Sequence, residues 1–453
     1  MSITQPITEN AFRSADLNKI ILTALDSVDP RKCVARALKR ENDLLTIQDH
    51  VVNLKEYHTI YLIGVGKAVL PMASAVSEIL GDLIIEGELI AKYDNAEIHS
   101  ELKNSIRLHI GDHPIPSEKS IDATRQLLEM LKKTTQEDLV IGLISGGGSA
   151  LMTHPVKGVG LAGLQRTTAS LLKCGATIEE MNTIRKHLDS IKGGGLLKHI
   201  QPAKSFHLIL SDVLGDPLSM IASGPTCSDP TTFCDCLEII KKYRIEDHLD
   251  KDVLTYLENG ATGLHEETLK DENPLLADHK NYIIGSLSIA ADAAYRQAIK
   301  AGFKARILTT TLRGEAREVG AKLASQLAEL VQKKKKSDKP ICLIAGGETT
   351  VTVKGNGKGG RNQELALSAA QKIEGLQDCA FVSFATDGED GPTDAAGGFV
   401  TGDTIRIARN MNLESQDFLD NNNAYEFLKR TGSLIYTGPT GTNVNDLVLM
   451  FAF

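Results

Sequence analysis

Short apolar runs alternate with amphipathic stretches along most of the chain. HTIYLIGV at 58–65 is an uninterrupted apolar run of strand length, and residues 67–80 follow it with helical spacing. DLVIGLI at 138–144 and FHLILS at 206–211 read as further buried strands, and FVSFAT near 384 as another. Thr177 and Glu180 form a T-x-x-E capping box opening a helix to about Ser190, which Gly193, Gly194 and Gly195 stop. NYIIGSLSIAADAAYRQAIKAGFKARILTT reads as strand, helix, Gly302 stop and strand, one βαβ unit. A helix is expected at 315–336, ending in Lys333 to Lys336, whose charges complement the helix dipole. Strands alternating with helices argue for parallel sheets with helices on both faces. The polar stretch 259–280 is the candidate boundary, giving domains 1–262 and 263–453.

Composition agrees with two domains. The chain has 453 residues, and single cores stop growing near roughly 250–300 residues. A net charge of -8 and 4% aromatic residues without Trp argue against nucleic-acid binding. No apolar run approaches the roughly 18 residues of a membrane span. The segment from Met1 to Asn18 lacks the apolar core of a signal peptide. Seven cysteines, with Cys227, Cys234 and Cys236 the only close group, read as reduced thiols rather than a zinc set. A cytoplasmic enzyme of small metabolites is the class left.

The chemistry concentrates in glycine-rich turns. Gly64-Val65-Gly66-Lys67 joins a strand to a helix. A dinucleotide fingerprint would need glycine at Val69; a Walker A loop would need glycine at Tyr61 and a hydroxyl at Ala68. What survives is a lysine at the C-terminal edge of a sheet, where such folds bind ligands. Ser145-Gly146-Gly147-Gly148-Ser149 follows the next strand, and three missing Cβ atoms let backbone N–H groups close on an anion. A second loop, Lys354 to Glu364, carries Gly355, Gly357, Gly359 and Gly360 just before Arg361 and a helix, a setting suited to polyphosphate or carboxylate. Carboxylates follow strands at Asp212, Asp216, Glu348, Asp387, Asp390, Asp394 and Asp446. Some would serve Mg²⁺, which takes one or two carboxylates plus phosphate oxygens and water, and others only turns. DGEDGPTD is no EF-hand, lacking the twelfth-position Glu. His113 and His187 read as capped or core residues. No G-x-S-x-G elbow supports hydrolase chemistry.

Eight segments in order carry a resemblance: GVGKAVLPMASA, GDHPIPS, SGGGSAL, NTIRKHLDSIKGGGL, SDVLGDPLSMIASGPTCSDPTT, AGGETTVTVKGNGKGGRNQELAL, ATDGEDGPTDAAGG and TGPTGTNVNDL. Together the chain resembles the glycerate 2-kinases that carry a MOFRL domain, over about residues 60 to 448. The resemblance implies an N-terminal Rossmann-like doubly wound α/β domain, a C-terminal α/β MOFRL domain, and a site in the cleft between them. It implies transfer of the ATP γ-phosphoryl to the 2-hydroxyl of D-glycerate with Mg²⁺ or another divalent cation. Lys67 and Arg361 match the family's active-site lysine and arginine. Gly64, Gly66, Ser145, Gly146, Gly147, Gly148, Ser149, Arg185, Lys192, Glu348, Gly357, Gly359, Gly360, Asn362 and Asn443 are the candidate substrate and nucleotide residues, with Asp212 and Asp387 for the metal. No nucleic-acid or membrane partner is expected, and a homo-oligomer stays open. Departures are Asp189 for a usual Ser, Ser117 for a usual acid and Ala385 for a usual Gly. Hydroxypyruvate reductase and a metabolite sensor without turnover are the rival readings.

Overall fold

The computed structural model describes residues 13–335 and 337–453, so Lys336 and the first twelve positions of the expected polar N-terminus lie outside the described residues. The chain divides into two compact units, one spanning Pro30–Ile284 and a second made of residues 13–29 and Gly285–Phe453.

The first unit opens with an antiparallel meander, β1 (Leu38–Glu41), β2 (Leu44–Ile47) and β3 (His50–Asn53). The apolar runs then become β4 (Thr59–Val65), β5 (Ile84–Ala91), β6 (Ile106–Ile110), β7 (Asp138–Ile144), β8 (Lys204–Leu210) and β9 (His279–Gly285). They form one sheet in the order β6-β5-β4-β7-β8-β9. β4 to β8 are parallel wherever they pair. β7 is buried at all seven positions, as a strand covered on both faces must be. The Thr177 box is present, with its helix at Ile178–His187.

Register decides what meets at the sheet's C-terminal edge. Val65 pairs with Ile144 and with Ile90, Ala91 pairs with Ile110, and Ile144 pairs with Ile209. The segments leaving these strands begin with Gly66, Lys92, Gly111, Ser145 and Ser211. They therefore emerge side by side.

The second unit holds β10 (Lys304–Leu312), β11 (Ile341–Gly347), β12 (Cys379–Ala385), β13 (Gly397–Thr401), β14 (Leu434–Ile435) and β15 (Asp446–Ala452), in the order β10-β11-β15-β12-β13-β14. Only β10 and β11 are parallel; the other pairs are antiparallel. This corrects the expectation of parallel sheets throughout. β12 and β13 are joined by a helix-free loop, which permits only an antiparallel return, and β15 runs back between β11 and β12. The expected βαβ unit also fails: β9 completes the first sheet and β10 edges the second. A helix after a strand does not say which sheet the next strand joins. The helix between them, Leu287–Lys300, packs on β10 and β11 of the second sheet and on the helix Ser14–Ser27, which buries Leu17, Ile20, Ile21, Ala24 and Leu25 at helical spacing. The polar stretch 259–280 lies inside the first unit, where Leu269 is in the core and β9 begins.

Candidate functional site

The candidate site residues fall in two glycine-rich clusters, one in each unit. In the first, the turn after β4 is pinned to the loop after β7. The Lys67 amide donates to the Gly146 carbonyl at 2.9 Å, and the Ala68 amide to Ser145 Oγ at 3.0 Å. Gly66 sits at φ +130°, and a Cβ there would stand 2.1 Å from Ser145 Oγ, so only glycine fits this crossing. A Cβ on Gly146 would stand 2.1 Å from Asp212 Oδ2, so its absence lets that carboxylate lie against the loop. Gly147 follows at φ +86°. The amides of 146–149 meet no protein acceptor among the described residues. Ser149 Oγ is 2.8 Å from Ser223 Oγ, which donates to Asn182 Oδ1 at 3.0 Å. Lys67 is exposed and enters no ion pair among the described residues. This edge thus gathers Gly64, Gly66, Lys67, Ser145 to Ser149 and Asp212. Open N–H groups and one ammonium can hold an anion there.

Lys192 is placed differently. Its ammonium is buried and donates to Asp189 Oδ2, to the Met152 carbonyl at 3.2 Å and to Thr153 Oγ1 at 3.3 Å. Burial pushes its pKa down, with Asp189 opposing. Asp189, the departure from the usual Ser, is thus the counter-charge of Lys192. Arg185 is half-buried without a carboxylate among the described residues, and burial lowers its pKa.

The sequence reads His113 as a capped or core residue, whereas the structure leaves it half-buried with no hydrogen-bond partner among the described residues. A Cβ on Gly147 would lie 3.1 Å from His113 Cδ2 and 3.4 Å from Nε2, and 3.4 Å from Lys67 Cγ. Burial, then the charges of Lys67 and Lys92, push its pKa down to about 4. The available signal was position: GDHP directly follows a strand, as do the two glycine turns.

In the second unit Arg361 opens the helix Arg361–Lys372. Its guanidinium grips Asp446 through Nε at 2.6 Å and Nη2 at 3.1 Å, and Glu348 through Nη1 at 2.6 Å. β15 starts at Asp446, paired with Gly347 and Ala385, which explains the meeting. Three of five N–H groups are thereby committed to protein carboxylates. Burial raises the Asp446 pKa to about 6 against the opposing pull of Arg361.

The helix N-terminus is already filled. Asp390 accepts from the Asn362 amide at 3.1 Å, Asn362 Nδ2 at 3.3 Å and the Gln363 amide at 2.8 Å. Burial raises the Asp390 pKa to about 7, above what those donors would allow in water. Asn362 also accepts from Ser383 Oγ at 2.6 Å, so it is a buried strut. The glycine loop is sealed likewise. Asn422 Oδ1 takes the amides of Lys354 and Gly355 at 2.7 and 3.0 Å. Asn421 takes those of Asn356 and Gly357, and Asn423 that of Lys358. The expectation that this loop's amides cradle an anion is therefore corrected for 354–358: Asn421 to Asn423 have consumed them. The missed signal was the run of three asparagines. Gly359 and Gly360 approach 422–424 and Asp390 respectively. Asn443 turns its own loop, accepting the Asn445 amide at 3.1 Å, and Asp387 accepts that of Glu389 at 3.1 Å.

Among the described residues no three or more His, Cys, Asp or Glu side chains form a metal cluster, and no helix is long and apolar enough to cross a membrane.

Comparison with known proteins places these clusters in context. A family model described as a domain of unknown function (DUF4147) matches residues 16–258, and one described as the MOFRL family matches 341–446. "Glycerate 2-kinase" of Pyrococcus horikoshii is 43% identical, over 95% of this chain and 95% of its own. "D-glycerate 2-kinase" of Thermotoga maritima is 42% identical, over 95% and 96%. A crystal structure of a Pyrococcus horikoshii protein superposes with a TM-score of 0.86 at 42% identity, covering 98% of this chain and 99% of that one. A Thermotoga maritima crystal structure described as glycerate kinase gives 0.85 at 40% identity, covering 97% and 99%. The chain belongs to the glycerate kinase family.

Proposed function

We propose that this member of the glycerate kinase family transfers the γ-phosphoryl group of ATP to the 2-hydroxyl of D-glycerate, giving 2-phospho-D-glycerate and ADP. The observation that carries the reading is the edge at Lys67. There, four loop amides without protein acceptors adjoin an ammonium without an ion pair among the described residues. Near-full-length identity of 43% to a protein named glycerate 2-kinase supports the reading.

Phosphoryl transfer asks a protein mainly for positioning and charge neutralisation. The amides of Gly146 to Ser149 hold an anionic group in fixed directions, and Lys67 adds charge beside them. Arg361, steadied by Asp446 and Glu348, keeps two N–H groups for a carboxylate or phosphoryl oxygen. Arg185 is the further cation offered to a substrate carboxylate. Mg²⁺ fits the donors present, since it keeps waters and phosphate oxygens and needs no cluster of three carboxylates. Asp212, against the glycine loop of the first unit, would be the carboxylate that holds it there, with Asp387 the candidate carboxylate in the second unit, and when bound it would neutralise phosphate charge.

Incubation with ATP, Mg²⁺ and D-glycerate, with ADP release followed by a coupled assay, tests the reading. Phosphorus NMR of the product separates the 2-phosphate from the 3-phosphate. Absence of ADP release overturns the reaction, and a 3-phosphate overturns only the regiochemistry.

A further inference from the structure

We propose that His113 is a catalytic residue: its Nε2 accepts the proton of the substrate hydroxyl as that oxygen attacks phosphorus. The inference rests on the phosphoryl-transfer reading above and names a group that reading leaves unassigned.

Three observations carry it. The parallel register brings His113 to the edge that holds Lys67 and Ser145 to Ser149, because β6 ends beside β5 and β5 beside β4. The imidazole lies over Gly147 with Nε2 on the loop side, 3.4 Å from where a Cβ would sit, so the glycine keeps open the space the ring faces. Neither ring nitrogen has a hydrogen-bond partner among the described residues. His109, His154, His187 and His207 by contrast each bond a side chain, to Glu88, Ser190, Glu267 and Ser205. A half-buried imidazole with uncommitted ring nitrogens is free to take a proton from a hydroxyl placed within hydrogen-bond reach.

The charged groups around it favour the neutral ring. Lys67 follows β4, Lys92 follows β5, and both push against a positive imidazole, while the loop 145–149 bears no charge. Its neighbour in sequence, Asp112, is exposed. At neutral pH the ring is therefore an acceptor with an open lone pair.

In the step, the hydroxyl oxygen forms the new bond to the γ-phosphorus while its proton passes to Nε2. The bond from phosphorus to the β,γ-bridging oxygen breaks, and its electron pair leaves with ADP. The imidazolium then releases the proton to solvent, which restores the neutral ring and accounts for the one proton formed per turnover.

The test uses the full chain, ATP, Mg²⁺ and D-glycerate. His113→Gln should lower kcat by about 10²–10⁴-fold, with both KM values within about threefold and an unchanged melting temperature. Imidazole added to the buffer should restore His113→Ala by about tenfold or more, a response that a merely structural residue would not give. A kcat within about threefold of wild type, a loss confined to KM, or a folded His113→Ala that imidazole does not rescue overturns the proposal. Should both variants fail to fold, diethyl pyrocarbonate modification of the wild-type chain, located by mass spectrometry, decides: loss of kcat on modification of His113, prevented by ATP with D-glycerate, supports the proposal, and full activity with His113 modified overturns it. In all these cases wild-type turnover leaves the kinase reading standing. A wild-type chain that releases no ADP overturns both.

Discussion

The loops 145–149 and 354–360 look alike in sequence, each glycine-rich and each leading into a helix. The structure gives them opposite fates. The first keeps the amides of 146–149 without protein acceptors and stands beside an exposed lysine. The second surrenders the amides of 354–358 to Asn421, Asn422 and Asn423, and its helix end to Asp390. Glycine therefore does two jobs. At Gly146 and Gly147 it admits the Asp212 carboxylate and the His113 ring beside amides that stay without protein acceptors, whereas at Gly355 and Gly357 it admits residues 421–423, which take the amides. Composition cannot separate these uses; the fate of the backbone N–H groups can.

The largest effects are expected at the two basic residues. Lys67→Ala removes an exposed ammonium without an ion pair among the described residues. It should lose about 10³-fold in kcat/KM, about 4 kcal/mol of transition-state stabilisation. Its melting temperature should stay within about 1 °C, as for surface changes generally. Arg361→Lys should act on both axes. It should lose about 10²–10³-fold in kcat/KM, and also about 1–2 kcal/mol of stability, because lysine cannot reproduce the two-pronged grip on buried Asp446. Steady-state kinetics beside urea melts for both variants settle it. An Arg361→Lys chain as stable as wild type would show that Asp446 does not need the fork.

A smaller effect tests the seal itself. Asn422 accepts two loop amides and donates to the Thr352 carbonyl at 3.2 Å and Glu364 Oε2 at 3.1 Å. Asn422→Ala leaves these groups without partners and should cost about 2 kcal/mol in urea unfolding. Ser149→Ala in the open loop, losing one hydroxyl contact to Ser223, should cost under about 1 kcal/mol. Equal losses would erase the distinction between sealed and open loops.

The sequence revealed strands whose apolar runs are continuous, and β7 falls where DLVIGLI stands. Capping chemistry at Thr177 was equally plain, because it is local. Sheet membership was not, since β9 and β10 flank one helix yet belong to different sheets, and that choice is made by tertiary packing. The two-residue β14 carries no periodicity to read. For the candidate site, turn position pointed to Gly66, Lys67 and the 145–149 loop, which the structure sets side by side at one sheet edge. It could not show that residues some 65 positions away cap the 354–358 amides. Nor could it show that Asp189 neutralises Lys192, or that His113 shares the edge with Lys67. Those facts depend on register and long-range hydrogen bonds.

A further effect concerns pH, and it follows from sealing a helix end with a buried carboxylate. Asp390 fills the N-terminus of Arg361–Lys372, and burial raises its pKa to about 7; Asp446 nearby is raised to about 6. In the unfolded chain both return to roughly 3.9. Between those limits the native state binds more protons than the unfolded state, so stability falls as pH rises. The contribution is fully present below about pH 4 and lost by about pH 7. Other carboxylates oppose it: Glu180 is held down to about 2 by Lys242 and strengthens the fold as pH rises through the acid range. A variant that cannot ionise at 390 isolates the contribution of Asp390. Asp390→Asn keeps an oxygen for the helix amides but cannot ionise. Relative to wild type, it should gain about 1–2 kcal/mol between pH 5 and pH 8. Urea midpoints of both chains at the two pH values measure this. A difference that stays constant would mean that Asp390 is ionised throughout, held by the helix amides. In that case the sealed end would hold a full negative charge, as the open loop is proposed to do with a ligand.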